Sequence, residues 1–384
     1  MQTHPKLSLM EHFKGLPDPR VRGRCDHELI DVLVIAVCTL LCGGAGFDDM
    51  ADFGRAKRDW FQTFLTLRHG IPSHDTFNRV FAALKPEAFL DCFLSWTQGL
   101  RQALAQEIVA LDGKALRRAL RRGQSPRYII SAWAQGNGLV LGQLKVADKS
   151  NEITALPRLL RALELAGCIV TIDAMGCQKT IAKEIIEADA DYVLALKGNQ
   201  ETVHAEVKSY LDDAIVQAAA QASRKAKESR VPELAYRETV EKDHGRLEIR
   251  RCWQSGRLDW FADRARWEGL RSVGVVESVR QVGAEAPTVE RRYYLSSLAV
   301  EVEKFARAVR GHWSVENSLH WCLDVQMGED QSRARTGHAA ENLATLRRLA
   351  LNLLKRDQTR KRGIKGKQLN AGWDHSYLLR LLAF

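Results

Sequence analysis

From Leu29 to Leu41 the chain is apolar at nearly every position, broken only by Asp31 and Thr39, and Gly43-Gly44 follows. A run of this length without period-2 alternation predicts one buried helix. Further helices are predicted over Asp48 to Arg58 and near Trp60 to Leu67. After the break at His69-Gly70-Ile71-Pro72, Ser73 is placed to N-cap a helix through Leu84, with Asp75 and Thr76 in its first turn. Lys85-Pro86 stops that helix, and Glu87 to Leu104 reads as one more. Helix, short Gly/Pro turn, helix is the pattern of a DNA-binding helix-turn-helix, and equally of any small helical bundle.

Beyond residue 107 the period changes. Ile108-Val109-Ala110-Leu111 is a short apolar strand running into Asp112-Gly113. Tyr128 to Trp133 and Leu139 to Val146 are strands joined as a hairpin through Gln135-Gly136-Asn137-Gly138. Leu156, Leu159, Leu160 and Leu163 fall at helical spacing. Cys168 to Ile172 is a wholly apolar strand ending at Asp173. A helix near Thr180 to Glu187 and a strand from Tyr192 to Leu196 complete the series. Three strands, helix, strand, helix, strand fits an antiparallel meander followed by parallel crossovers, the order of a ribonuclease-H-like mixed α/β sheet. A doubly wound sheet is the alternative, if the basic segment after Asp112 formed a helix.

Residues 201–300 read as a β-rich insertion: a polar, alanine-rich helix from Glu201 to Lys227, then strands at Arg246 to Trp253, Ser272 to Val279 and Arg291 to Leu295. Val302 to Leu323 returns to long helix and Gly337 to Leu354 is another. The tail from Lys355, with Gly363 and Gly366, is expected to be extended. The expected division is therefore 1–105 as a helical accessory or DNA-binding domain, 106–200 as the first part of a catalytic core, and 201–300 as the insertion. Core helices over 301–354 and a basic tail over 355–384 complete it.

Charge sharpens this picture. Lysine and arginine number 57 against 47 aspartates and glutamates, a net of +10. The excess is concentrated. Residues 355–384 carry eight basic residues against Asp357 and Asp374, and 114–127 carries six with no acid. Two local basic patches suit a polyanion better than uniform solubilising charge does. The eight cysteines contain no CxxC pair, and a chain of 384 residues has no need of disulfides, so a reducing cytoplasm is expected. Val32 to Cys42, the longest uncharged apolar run, is too short to span a bilayer and begins too late for a signal peptide.

Asp112 and Asp173 share one local setting, the end of a buried strand followed by a small residue. Neighbouring strand ends in a mixed sheet bring such side chains to one edge. Mg²⁺ prefers hard oxygen donors and is held by one or two carboxylates plus phosphate oxygens. Two such ions need a third carboxylate, which a helix laid against that edge can supply. Glu316 is the one acid between Glu303 and Asp324, and Asp324, Glu329 and Asp330 follow as possible assistants. His312, Glu316 and His320, spaced by four, also read as a zinc site. Two histidines eight residues apart on a helix lie roughly 11 Å apart, however, too far to share one ion.

Several stretches taken in order resemble one family: Leu111-Asp112-Gly113-Lys114, Lys149-Ser150-Asn151-Glu152-Ile153, and Val170 through Gln178. Asp191 through Gln200 and Arg310 through Asn317 continue the agreement, which runs from about residue 10 to 355. The family is the H-repeat-associated, ISAs-type DDE transposases of bacterial insertion sequences, whose accessory domain Asp18-Pro19-Arg20 and Pro72 to Phe77 resemble. The resemblance implies a ribonuclease-H-like core with the insertion between the second aspartate and the glutamate, and an acidic triad of Asp112, Asp173 and Glu316. It implies two Mg²⁺ ions, with Mn²⁺ as substitute. It also implies DNA partners (element ends and target), a homodimer on DNA, no membrane and a nucleoid-associated cytoplasmic location. Related enzymes carry an arginine four before the glutamate and a lysine seven after it; here those positions are His312 and Leu323. DNA contacts are expected from Lys114, Arg117, Arg118, Lys197, Asn199, His312, Asn317, Arg360, Lys361 and Arg362. Two other readings stand beside transposition: a decayed DNA-binding remnant or repressor, and a ribonuclease-H-like nuclease without strand transfer.

Overall fold

The computed structural model describes residues 9–21, 23, 25–102, 104–118, 127–146, 152–223, 234–243, 245–283 and 285–383. Arg121 and Arg122, and the family word Lys149-Ser150-Asn151, lie outside the described residues. Along the chain run α1 (Leu9–Phe13), α2 (Leu29–Leu41), α3 (Phe47–Ala56), α4 (Arg58–Phe61), α5 (His74–Ala83) and α6 (Pro86–Leu100). Then come β1 (Ile108–Leu116), β2 (Arg127–Ala134), β3 (Leu139–Val146), α7 (Glu152–Ala162), β4 (Ile169–Ile172), α8 (Lys179–Glu187), β5 (Asp191–Leu196) and α9 (Glu201–Ser223). The strands β6 (Leu234–Asp243), β7 (Arg246–Ser255), β8 (Ser272–Val282) and β9 (Thr288–Ser296) precede α10 (Val302–Val315), α11 (Ala339–Arg356), α12 (Ile364–Trp373) and α13 (His375–Leu382).

The chain forms two compact units. One comprises residues 1–104, 113–151 and 314–384; the other comprises 105–112 and 152–313. The strand order of the mixed sheet is β3-β2-β1-β4-β5-β9-β8-β7-β6, and β1 passes from the second unit into the first between Asp112 and Gly113. β2 and β3 are antiparallel, and β1 runs parallel to β4 and β4 to β5. This is the ribonuclease-H-like order expected from the sequence.

In the first unit α11 is the central element, with nearly every residue buried. Helices α2, α5, α6, α12 and α13 and strand β3 surround it. Several of its polar side chains bond other elements. Asn352 pairs with both backbone groups of Val140 (2.8 and 2.9 Å), and the Asn342 Nδ2 donates to the carbonyls of Phe81 and Leu84 that end α5. Ser73 caps α5 as expected, its Oγ accepting from the Thr76 N–H at 3.3 Å. The tail differs from expectation. It folds into α12 and α13 because Lys367 donates to the carbonyls of Leu354 (2.8 Å) and Asp357 (2.5 Å), and the Tyr377 hydroxyl donates to Asp357 (2.8 Å).

In the second unit β5 pairs antiparallel with β9, and β8, β7 and β6 follow. The inserted strands thus continue the core sheet, and β6 is a strand that the sequence pattern did not reveal. α10 lies on this sheet through Phe305, Ala308 and Val309, which pack with Ile169, Val193, Cys252, Val276 and Tyr294. Gly274 of β8 sits directly under Phe305: a Cβ there would come 2.5 Å from the ring. Gly274→Ala is expected to destabilise the second unit by about 1–3 kcal/mol through overpacking. Thermal unfolding followed by circular dichroism measures it, and an unchanged midpoint would mean that α10 lifts off at no cost.

Candidate active site

In the second unit the parallel register pairs Leu111 with Ile172, the last paired positions of β1 and β4. Asp112 and Asp173 are the next residue on each strand, at a strand spacing of about 4.8 Å. The expectation that both aspartates end a strand holds for Asp173 alone: β1 continues to Leu116. What ends at Asp112 is the pairing with β4. Asp173 caps a single 3₁₀ turn, Ala174–Gly176, with its Oδ1 accepting from the Met175 N–H at 3.1 Å. A Cβ on Gly176 would collide with Ile172, so this sharp turn behind the carboxylate requires glycine.

Two residues that the sequence marked for DNA, Asn199 and His312, lie among the surroundings of Asp173. The Asn199 Nδ2 donates to the Ala174 carbonyl at 2.6 Å and the Gln200 Nε2 to that of Cys177 at 3.1 Å, so the loop after β5 fixes the loop after β4. Asn199 therefore acts on the protein backbone. His312, at the end of α10, shares a hydrogen bond with the Thr171 hydroxyl at 3.1 Å. Burial pushes its pKa below the ordinary histidine value, against the pull of the Asp173 charge. A neutral imidazole does not replace the charge of an arginine at this position. Lys197 is exposed on the same loop as Asn199.

In the first unit the helix expected to run unbroken to Leu323 instead passes into two π-type stretches, Glu316–His320 and Cys322–Gln326. The Trp321 N–H bonds the Glu316 carbonyl and the Met327 N–H that of Cys322, each five residues back. π turns are rare and concentrate at functional sites. Glu316, at the start of the first, keeps its side chain about half exposed, and its Oε2 stands 3.5 Å from the Nδ1 of buried His320. Asn317 is exposed beside it.

Lys114 departs most from expectation. It is 8% exposed, and its Nζ lies 2.6 Å from Asp324, 2.9 Å from Asp330 and 3.5 Å from Glu329. Its charge is neutralised inside the protein, so it is no phosphate contact. The same geometry commits Asp324, Glu329 and Asp330, the possible assistants of Glu316, to structure. Glu329 also accepts from Arg348 at 2.7 Å with both side chains fully buried, and Arg348 donates to Ser131 at 3.0 Å. Burial raises the Glu329 carboxyl, but Arg348, Lys114 and Arg347 outweigh it and hold it below the ordinary range.

Exposed cations border this cluster. Arg117 reaches Asp330 at 3.5 Å, Arg118 donates to the Gln331 side chain at 2.5 Å, and Arg335 donates to the Arg118 carbonyl at 3.1 Å. Arg333 and Arg335 were missed by sequence reasoning. Their signal was a basic loop, Arg333-Ala334-Arg335, with no acid between Asp330 and Glu341. Arg360, Lys361 and Arg362 are exposed ahead of α12, where Arg360 reaches Asp374 at 3.5 Å.

The chain matches the profile of the transposase DDE domain over residues 104–353 and that of the DDE_Tnp_1-associated region over residues 10–97. It belongs to the DDE transposases, in their H-repeat-associated group. It is 38% identical over 383 residues to the "H repeat-associated putative transposase YhhI" of Escherichia coli strain K12, covering 98% of this chain and 97% of that one. It is 37% identical over 388 residues to the "Putative transposase YncI" of Escherichia coli O157:H7, covering 98% and 94%. A solved chain of the piggyBac transposase synaptic complex with hairpin DNA matches with a TM-score of 0.43 at 10% identity, covering 97% of this chain and 76% of that one.

Membership in this family implies a divalent metal. The second unit's donors fit one: two hard carboxylates at adjacent strand positions. Cys177, near enough to feel the Asp173 charge, has its thiol pushed far up, first by burial, and so offers no soft thiolate. Among the described residues no helix is long and apolar enough to cross a membrane.

Replacing Glu329 by leucine leaves Arg348 and Lys114 short of a buried counter-charge and is expected to cost about 3–5 kcal/mol at pH 7. Because the folded pKa of Glu329 is depressed, its stabilisation is complete above the unfolded value of about 4.3 and is lost as pH falls through the folded one. Urea unfolding at pH 7 and pH 3 should show a large gap between wild type and variant that narrows in acid. An equal gap at both would remove the charge from the explanation.

Proposed function

We propose that the protein is a metal-dependent DNA transposase that cuts at the ends of its insertion sequence and joins the freed end to target DNA. The observation that carries this reading is the β1–β4 register, which sets Asp112 and Asp173 one step past the last paired residues of neighbouring strands. Glu316 is the third acid of the set. Asp112 and Asp173 are the residues to hold the metal, with Glu316 completing the shell; Mg²⁺ is the natural ion, two in the full site, and Mn²⁺ its substitute. When bound, the metal supplies Lewis acidity at the attacking and leaving oxygens of an in-line phosphoryl transfer.

In the first step water attacks the phosphorus at the element boundary, the P–O3′ bond breaks, and a 3′-hydroxyl leaves. In the second that hydroxyl attacks a target phosphodiester and displaces its 3′ oxygen, so one bond forms for each one broken. Asn199 and Gln200 hold the turn that aims Asp173, and His312 holds β4 from α10 without adding positive charge. The exposed residues Arg117, Arg118, Lys197, Asn317, Arg360, Lys361 and Arg362 grip phosphates. The helical region over 1–105 is the accessory DNA-binding part, and two copies pair on DNA to bring two ends together.

The deciding experiment is strand cleavage, with Mg²⁺ or Mn²⁺, of DNA carrying the gene's own flanking sequence. Wild type is expected to cut at the boundary and to yield joined product when target DNA is added. Asp112→Asn, Asp173→Asn and Glu316→Gln should each lower the rate more than about 100-fold, beyond the usual loss for an outer-shell group. Cleavage without joining would make it a nuclease. Binding without cleavage by wild type would leave a DNA-binding remnant, and undiminished cleavage by Glu316→Gln would remove that residue from the site.

Removing Arg117 and Arg118 together should flatten the slope of log affinity against log salt by about 1.8, at roughly 0.9 per phosphate contact. Fluorescence anisotropy at several salt concentrations measures it. An unchanged slope would take both arginines off the DNA path.

A further inference from the structure

We propose that Lys114 is a positioning residue of the cleavage reaction: its ammonium pins the segment that follows Glu316 and thereby fixes where the Glu316 carboxylate points. The proposal rests on the reading of Glu316 given above.

Three observations carry it. Lys114 lies two residues beyond Asp112, so by strand alternation the two side chains leave β1 on the same face. Its partners Asp324, Glu329 and Asp330 all follow Glu316 within fourteen residues, Asp324 inside the second π stretch, Cys322–Gln326, and the other two beyond it. The cluster is also balanced, and its cations and Glu329 are buried while Asp324 and Asp330 are partly so. Lys114 and the fully buried Arg348 face three carboxylates, Arg347 lies buried beside them, and Arg347 itself is held by the carbonyls of Met327 (3.2 Å) and Ala45 (3.0 Å).

Apolar side chains of similar volume would fill such a space at equal or lower free energy. What an ionic cluster adds is a single permitted geometry. The segment between Glu316 and Asp324 needs one imposed, because a π turn holds one residue more than an α turn and gains nothing locally from it. With its far end released, each π turn can relax to α geometry. Relaxation of the first, Glu316–His320, rotates Glu316 relative to Asp324 by about 100°, the turn of one residue. Lys114 reaches Asp324 within the stretch and Glu329 and Asp330 beyond it.

The test compares full-length wild type, Lys114→Met, Lys114→Arg and the double variant Lys114→Met/Asp324→Asn, which removes an orphaned carboxylate should the single variant fold poorly. Three quantities are read: cleavage rate against Mg²⁺ concentration, affinity for an element-end DNA against salt, and amide hydrogen exchange over 314–331. For Lys114→Met and for the double variant the proposal expects about 10–100-fold slower cleavage, the scale of losing an outer-shell group, and a higher half-saturating Mg²⁺. It also expects an unchanged salt slope and faster exchange confined to 314–331. Lys114→Arg should recover part of the rate. A salt slope lowered by about one unit would make Lys114 a phosphate contact after all and overturn the proposal. Unchanged cleavage and exchange would overturn it as well. A wild type that cuts no DNA would defeat the proposed function instead, and the exchange pattern would still decide whether Lys114 pins the segment.

Discussion

A buried lysine and a buried arginine, set against one buried and two partly buried carboxylates, impose the constraint on which the first unit is organised. Lys114 meets Asp324, Glu329 and Asp330, and Arg348 meets Glu329. A buried charge without its partner costs far more than a buried pair contributes. The second half of β1, the segment after Glu316 and the middle of α11 must therefore be assembled together or not at all. The buried amides of α11 extend the same requirement to β3 and to the end of α5. Apolar packing alone leaves helices free to slide by a turn; these directional bonds do not.

Much of this was legible in the sequence, and the limits were physical. The run from Leu29 to Leu41 became a helix with those very ends because its residues are buried nearly all round and glycines follow it. Ile108, Cys168 and Tyr192 open apolar runs whose order fits a ribonuclease-H-like sheet, with a doubly wound one as the alternative that the pairing of β2 and β3 removes. Asp112 and Asp173 stood out only as a pair at matching strand positions, and the register of β1 with β4 sets them one step past the last paired residues. β6 was not legible, because its residues, Ala235-Tyr236-Arg237-Glu238-Thr239-Val240-Glu241-Lys242, sit on a strand with little buried surface and show no apolar face. The tail looked extended because two glycines and six closely spaced cations hid the Lys367 and Tyr377 contacts, which are long-range.

The π turns and the fate of Lys114 share one reason for being missed. Helical periodicity from Val302 to Leu323 is intact to the eye, since one additional residue in a turn changes the phase without removing any apolar position. A lysine in a basic run reads as one of several equivalent cations. Only the three acids placed around it in space make it different from Arg117 and Arg118, and those acids lie more than two hundred residues away in sequence.

The inserted strands bear on how the second unit works. An isolated β5 would present an unpaired edge next to the loop that holds Lys197 and Asn199, and such edges invite pairing with foreign strands. β9 closes that edge through a four-residue antiparallel register, Val193 with Ser296 to Leu196 with Tyr293, and β8, β7 and β6 follow from it. The Ser297 hydroxyl donates to Asp191 and accepts from the Tyr192 N–H, which anchors the start of β5 from the end of β9. Arg310 of α10, two residues before His312, pairs with Glu241 of β6 at 2.8 Å. Insertion strands and the helix leading to Glu316 are thus bonded to one sheet. The segment over 201–300 is then no appendage to the second unit: its strands form part of the surface on which α10 lies, and the direction of α10 depends on it.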